Sequence, residues 1–91
     1  MNIDVYRNFV QIVEEGSISA AARKVLIAQP ALSSQMKSLE QTIGAKLFIR
    51  GAQKISVTDA GMILYRRAKD MLAIEDAALK EVSDLSLIHI L

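Results

Sequence analysis

Cysteine is absent from this 91-residue chain, so no disulfide framework and no thiolate metal site can form. That composition fits a reducing compartment, and a cytoplasmic location is expected. Long apolar runs are also missing. Asp4, Arg7, Glu14 and Glu15 interrupt the start, which excludes the basic-then-apolar pattern of a signal peptide. No stretch approaches the roughly 18 apolar residues that a membrane span requires, so no membrane role is expected. The one histidine, His89, sits in the apolar tail Leu87-Ile88-His89-Ile90-Leu91 with no carboxylate pair nearby. No GxGxxG, Walker loop or HExxH occurs. Neither catalysis nor a cofactor is expected, and His89 reads as functionless.

Net charge is nearly lacking too, with 11 basic against 10 acidic residues. Its distribution is uneven. Residues 46–69 carry Lys46, Arg50, Lys54, Arg66, Arg67 and Lys69 against Asp59 alone. Residues 70–91 carry Lys80 alone against Asp70, Glu75, Asp76, Glu81 and Asp84. A basic centre therefore precedes an acidic end. At 52% hydrophobic and 23% charged, the sequence folds, and its length suits one small domain. A small binding module is the starting expectation.

Periodicity supplies the elements. Val5, Phe9, Ile12 and Val13 recur on one helical stripe over residues 2–15, with Asn2 to cap the start and Gly16 to take the left-handed position beyond the end. Ser17-Ile18-Ser19 offers hydroxyl caps for a short second helix through Leu26, whose three alanines permit close approach by a neighbour. A third helix starts near Gln29-Pro30, where a first-turn proline costs no hydrogen bond. Leu32, Met36, Leu39 and Ile43 form its buried seam and Gly44 ends it. Its opposite face carries Pro30, Ser34, Lys37 and Gln41, with Ser33 at the margin.

After Leu47-Phe48 the period shortens. Ile49 to Arg50 and Ile55 to Val57 read as two short strands around Gly51-Ala52-Gln53-Lys54. Thr58 then caps a long final helix, with Asp59 complementing its N-terminal dipole. Nothing breaks that helix from Ala60 to Val82. Tyr65, Ala68, Leu72, Leu79 and Val82 mark one flank and Leu64, Met71 and Ala78 the next, interrupted at Glu75. The first turns, near Ile63 and Leu64, are expected to cover the domain's own core. Arg66, Arg67 and Lys69 read as a solvated face rather than a binding stripe.

The architecture implied is mainly α: a winged helix-turn-helix of three helices and a β-hairpin wing, then a long helix. A helix-turn-helix needs small residues where its helices cross, an apolar plug in the turn and an apolar back on the second helix. Ala21 and Ala22 supply the first, Val25 and Ile27 the second, Leu32, Met36 and Leu39 the third. The run Phe9-Val10, Glu14 to Ala22, Gln29 to Ser33, Gln35, Leu39-Glu40, Gly44, Leu47 to Arg50 and Thr58 to Gly61 resembles the DNA-binding domain of LysR-type transcriptional regulators. The likeness covers about the first 65 residues without a gap, and the helix beyond resembles that family's linker helix.

The resemblance implies a bacterial transcription regulator that binds double-stranded DNA at a partly palindromic operator. It implies a homodimer joined through the linker helices, a tetramer in full-length members, and a small-molecule effector taken only by a C-terminal domain. The chain stops before any such domain, so it is expected to be an excised or truncated product. Residues 1–58 form the DNA-binding domain, with the helix-turn-helix at about 18–37 and the wing at about 48–57. Residues 59–85 form the linker helix. Residues 86–91 are either a non-native end or the first strand of the missing domain.

By the same resemblance Gln29, Pro30, Ala31 and Ser33 meet bases or phosphates, and Ser34 shares that face. A glutamine amide can pair with adenine N6 and N7, Pro30 and Ala31 can pack on a thymine methyl, and serine serves base or phosphate. Lys37 and Arg50 suit the backbone, and Lys54 lies at the hairpin tip, where a wing would enter the minor groove. Met71, Leu72, Leu79 and Val82 are the expected dimer contacts. Three positions depart from the family's habit: Ala28 lacks the usual capping hydroxyl, while Ser34 and Gln53 replace frequent basic residues. Fewer phosphate contacts imply weak binding and a shallow salt dependence. The rival reading is a helical protein–protein adaptor that uses the long helix alone, but an adaptor has no need of a Gln-Pro helix start beside a basic hairpin.

Overall fold

The computed structural model of the chain describes residues 2–51 and 54–90. In order come α1 (Ile3–Glu15), α2 (Ile18–Val25), α3 (Gln29–Ile43), β1 (Phe48–Arg50), β2 (Ile55–Val57) and α4 (Asp59–Ile90). The expected hairpin tip at Ala52-Gln53 and the side chain of His89 lie outside the described residues.

Local chemistry sets most boundaries. The Asn2 side chain accepts from the Asp4 N–H at 2.6 Å, and Gly16 closes α1 at φ 70°. Ser17 Oγ accepts from the Ala20 N–H at 3.2 Å to start α2. The end of α2 differs from expectation. Leu26 does not continue the helix; it is the left-handed capping residue, at φ 63°, with 88% of its surface exposed. The turn before Gln29-Pro30 needs a reversal there, and this sequence supplies no glycine for it. Ile27 is exposed as well, so the apolar plug is confined to the half-buried Val25.

The core gathers Phe9, Val10 and Ile12 of α1, Ala21 and Ala22 of α2, Leu32, Met36 and Leu39 of α3, then Leu47, Phe48 and Ala68. The Phe9 and Phe48 rings lie 5.3 Å apart between centroids. The two buried alanines let α2 cross its neighbours closely, as the helix-turn-helix pattern requires. Ile43 leaves the expected seam and is exposed, whereas Glu40 is buried. Glu40 Oε2 accepts from the Leu47 N–H at 2.8 Å and the Phe48 N–H at 3.4 Å. The chain thus folds back under α3 at Glu40, Leu47 covers that end of the core, and Ile43 is left outside it.

The hairpin pairs Phe48 with Val57, Ile49 with Ser56 and Arg50 with Ile55, so β1 begins one residue earlier than the pattern suggested. Thr58 caps α4 by accepting from the Gly61 N–H at 3.0 Å, while its hydroxyl donates to the Lys46 carbonyl at 2.6 Å. Leu64, Tyr65, Ala68 and Leu72 lay α4 against the core, but Ile63 faces solvent. Glu75 does not merely interrupt the apolar band. It pairs with Arg7 of α1, and Glu14 of α1 accepts from the Tyr65 hydroxyl at 2.8 Å and meets Lys69 Nζ at 3.5 Å. The Glu75 hydrogen bond raises the Arg7 pKa, and Lys69 is raised by Tyr65 first and then Glu14.

Beyond Glu75 the helix leaves the body. At 1.5 Å per residue its 32 residues span about 48 Å, close to the 56 Å long dimension of the molecule. It runs to Ile90, so residues 86–90 are helical, past the expected end at 85 and not a strand.

Candidate nucleic-acid interface

The first turn of α3 is presented outward because its seam residues, Leu32 and Met36, point the other way. Gln29, Pro30, Ala31 and Ser34 are exposed there, Ser33 is half-buried beside them, and Lys37 is exposed one turn further on. Ala28 makes no side-chain cap, so the free N–H groups of this turn have no hydroxyl over them.

The hairpin comes alongside. Arg50 Nη1 donates to Ser33 Oγ at 3.1 Å, tying β1 to α3. Ser17, which caps α2, Ser19 of α2, Gln29 of α3, and Arg50, Gly51 and Lys54 of the hairpin line one open cleft of about 190 Å³. Ser19 Oγ donates to Gln29 Oε1 at 2.8 Å. Among the described residues, ion pairs involve Arg7, Arg67 and Lys69, and none involves Lys37, Arg50 or Lys54. Three unneutralised cations therefore flank the exposed turn, an arrangement that suits a polyanion.

A second polyvalent feature is the far half of α4. Ile74, Leu79 and Val82 are 70%, 64% and 67% exposed, and Met71 and Leu85 are exposed with them. Leu72, expected at the same contact, instead packs half-buried against the chain's own core. The reason is angular: Leu72 follows Ala68 by one turn on the face that meets α1, whereas Met71, Ile74, Ala78, Val82 and Leu85 lie on a neighbouring stripe.

Three residues escaped the sequence reading. Ser19 reads in the sequence as one of two hydroxyl caps, although Ser17 alone caps α2; a second hydroxyl with no local task is the available signal. Glu40, which aims β1, carried no sign of that role beyond its place in the Leu39-Glu40 pair of the family likeness. Ile74 was overlooked because it lies outside both flanks assigned to α4. Asn8 Nδ2 also donates to Gln35 Oε1 at 2.8 Å, bracing α3 on α1.

Residues 3–62 match the family described as bacterial regulatory helix-turn-helix protein, lysR family. A probable RuBisCO transcriptional regulator of Cyanidioschyzon merolae is 39% identical over 83 residues, covering 91% of this chain and 27% of the relative. The transcriptional regulator CysL of Bacillus subtilis is 37% identical over 82 residues, covering 90% of this chain and 27% of its own length. This chain thus spans about a quarter of the length of those relatives. Among solved structures, the BenM DNA-binding domain in complex with catB site 1 DNA aligns with a TM-score of 0.91. It is 35% identical, over 94% of this chain and 97% of that one. Among the described residues no helix is long and apolar enough to cross a membrane.

Proposed function

Because this chain belongs to the LysR family of bacterial regulatory helix-turn-helix proteins, we propose that it binds a specific operator sequence in double-stranded DNA. It does so as a homodimer, without catalysis, in the cytoplasm where the DNA is. The observation that carries this reading is the exposed first turn of α3 flanked by Lys37, Arg50 and Lys54, on a backbone that matches a domain solved with DNA.

The division of labour follows from chemistry. The Gln29 amide addresses adenine N6 and N7 in the major groove, and Pro30 and Ala31 lie against a thymine methyl. Ser33 and Ser34 serve base or phosphate. Lys37, Arg50 and Lys54 contact phosphates, Arg50 held in place by Ser33 and Lys54 approaching from the wing. Phosphate contacts fix the register, and the amide selects the sequence.

Dimerisation uses α4. Met71, Ile74, Leu79 and Val82 are too apolar and too exposed to face water in a stable monomer. One end of the helix carries Arg66, Arg67 and Lys69 and the other Glu81 and Asp84. Antiparallel pairing brings opposite charges together, so that orientation is favoured. The complete protein adds a C-terminal domain that takes a small-molecule effector, and assembles as a dimer or tetramer.

Fluorescence anisotropy on a labelled promoter duplex from upstream of the gene tests the reading. Binding at low salt should weaken as salt rises, and Lys37→Ala, Arg50→Ala and Lys54→Ala should each flatten the log–log slope by about 0.9. No binding at low salt by a chain shown to be dimeric contradicts it and favours the adaptor.

A further inference from the structure

We propose that Ser19, on the first turn of α2, holds the Gln29 amide in one orientation and thereby makes Gln29 prefer adenine over guanine. The inference rests on the reading of α3 as the recognition helix, and it makes Ser19 a positioning residue that acts through Gln29.

Ser17 already caps α2, so the Ser19 hydroxyl has no part in closing that helix. It donates to Gln29 Oε1 at 2.8 Å instead, and this is the only hydrogen bond of the Gln29 side chain among the described residues. An unheld primary amide turns over freely, exchanging an acceptor oxygen for a two-proton donor nitrogen. The exchange changes what it reads. With the oxygen toward N6 and the nitrogen toward N7 it matches adenine, whereas turned over it can donate to the O6 of guanine while its own oxygen faces the N7 acceptor.

Two features of the cleft favour the oxygen on the α2 side. The amide lies in the cleft lined by Ser17, Ile18 and Ser19 at the start of α2, where the helix dipole favours an acceptor over an NH₂ group. Arg50 and Lys54 line the same cleft and add positive potential. The Ser19 proton occupies one lone pair of Oε1 and leaves the other for the adenine amino group. A residue of α2 thus determines a base read by α3.

The test is selection from a random-sequence duplex library by the 91-residue chain and by its S19A, S19T and Q29A variants. Q29A identifies the base pair concerned by losing preference there. At that position S19A should lower the adenine-over-guanine ratio about fivefold, the worth of one neutral hydrogen bond. S19T should restore it, and the thermal midpoint of S19A should match that of the parent. An unchanged ratio in S19A overturns the inference, as does a uniform loss of affinity on all duplexes or a failure of S19T to restore the ratio. If the parent chain enriches no sequence, the reading of α3 falls with it. If the parent and Q29A behave as described and S19A alone is inert, only the role of Ser19 falls.

Discussion

Glu40 and Leu47 are joined by a buried hydrogen bond in which the carboxylate Oε2 accepts the Leu47 N–H at 2.8 Å, with the Phe48 N–H on the same oxygen at 3.4 Å. This contact aims β1, and therefore Arg50, along the flank of α3. Glu40→Ala leaves two backbone donors without an acceptor and should cost about 2 kcal/mol in urea denaturation. Glu40→Gln keeps an oxygen at the site and should cost about half as much.

Gly61 sits where α4 passes against Leu47, just before β1, and Val57 of β2. A Cβ added there would collide with the Leu47 carbonyl oxygen and come within 2.5 Å of Val57 Cγ1. Gly61→Ala should destabilise the domain by about 1–3 kcal/mol, the usual range for overpacking against backbone. A stability equal to the parent's, measured by thermal unfolding, would mean that α4 enters the body at another angle.

Leu26 holds a left-handed conformation at φ 63° without glycine's freedom. Asparagine tolerates this region far better, because its side chain can bond its own backbone. Leu26→Asn should therefore stabilise the chain by up to about 1 kcal/mol, and an exposed leucine is lost at no packing cost. A lower melting temperature in the variant would show that the turn is held by a contact of Leu26 itself.

The dimer contact is tested on two residues that touch nothing within the chain's own core. Ile74→Asp and Leu79→Asp should each move the sedimentation coefficient toward that of a monomer, and Leu72→Ala should act chiefly on stability, because Leu72 packs inward. Unchanged sedimentation in both aspartate variants would sink the assignment of α4 as the interface.

Helix positions, three of the four caps and most of the core were legible because they depend on neighbours within a turn of chain: Asn2, Ser17 and Thr58 each bond an N–H two or three residues on. The misreadings have the opposite character. Ile43 is exposed and Glu40 buried because Leu47 returns under α3, which no local pattern announces. Leu72 faces inward because α1 lies over it, and its side of the helix depends on that contact. At the interface, residue types at the start of α3 pointed to their chemistry, whereas the Ser19–Gln29 and Ser33–Arg50 bonds join separate elements and exist only in the fold.

The central claim is that two copies of this chain set the first turn of α3 into successive major grooves of one duplex. Hydroxyl-radical footprinting on a duplex enriched by the chain tests it most directly. The account predicts two protected patches on one face of the DNA, centred about 10 base pairs or a multiple of that apart, both weakened by Gln29→Ala. A single patch beneath a confirmed dimer, or protection indifferent to Gln29, would contradict it.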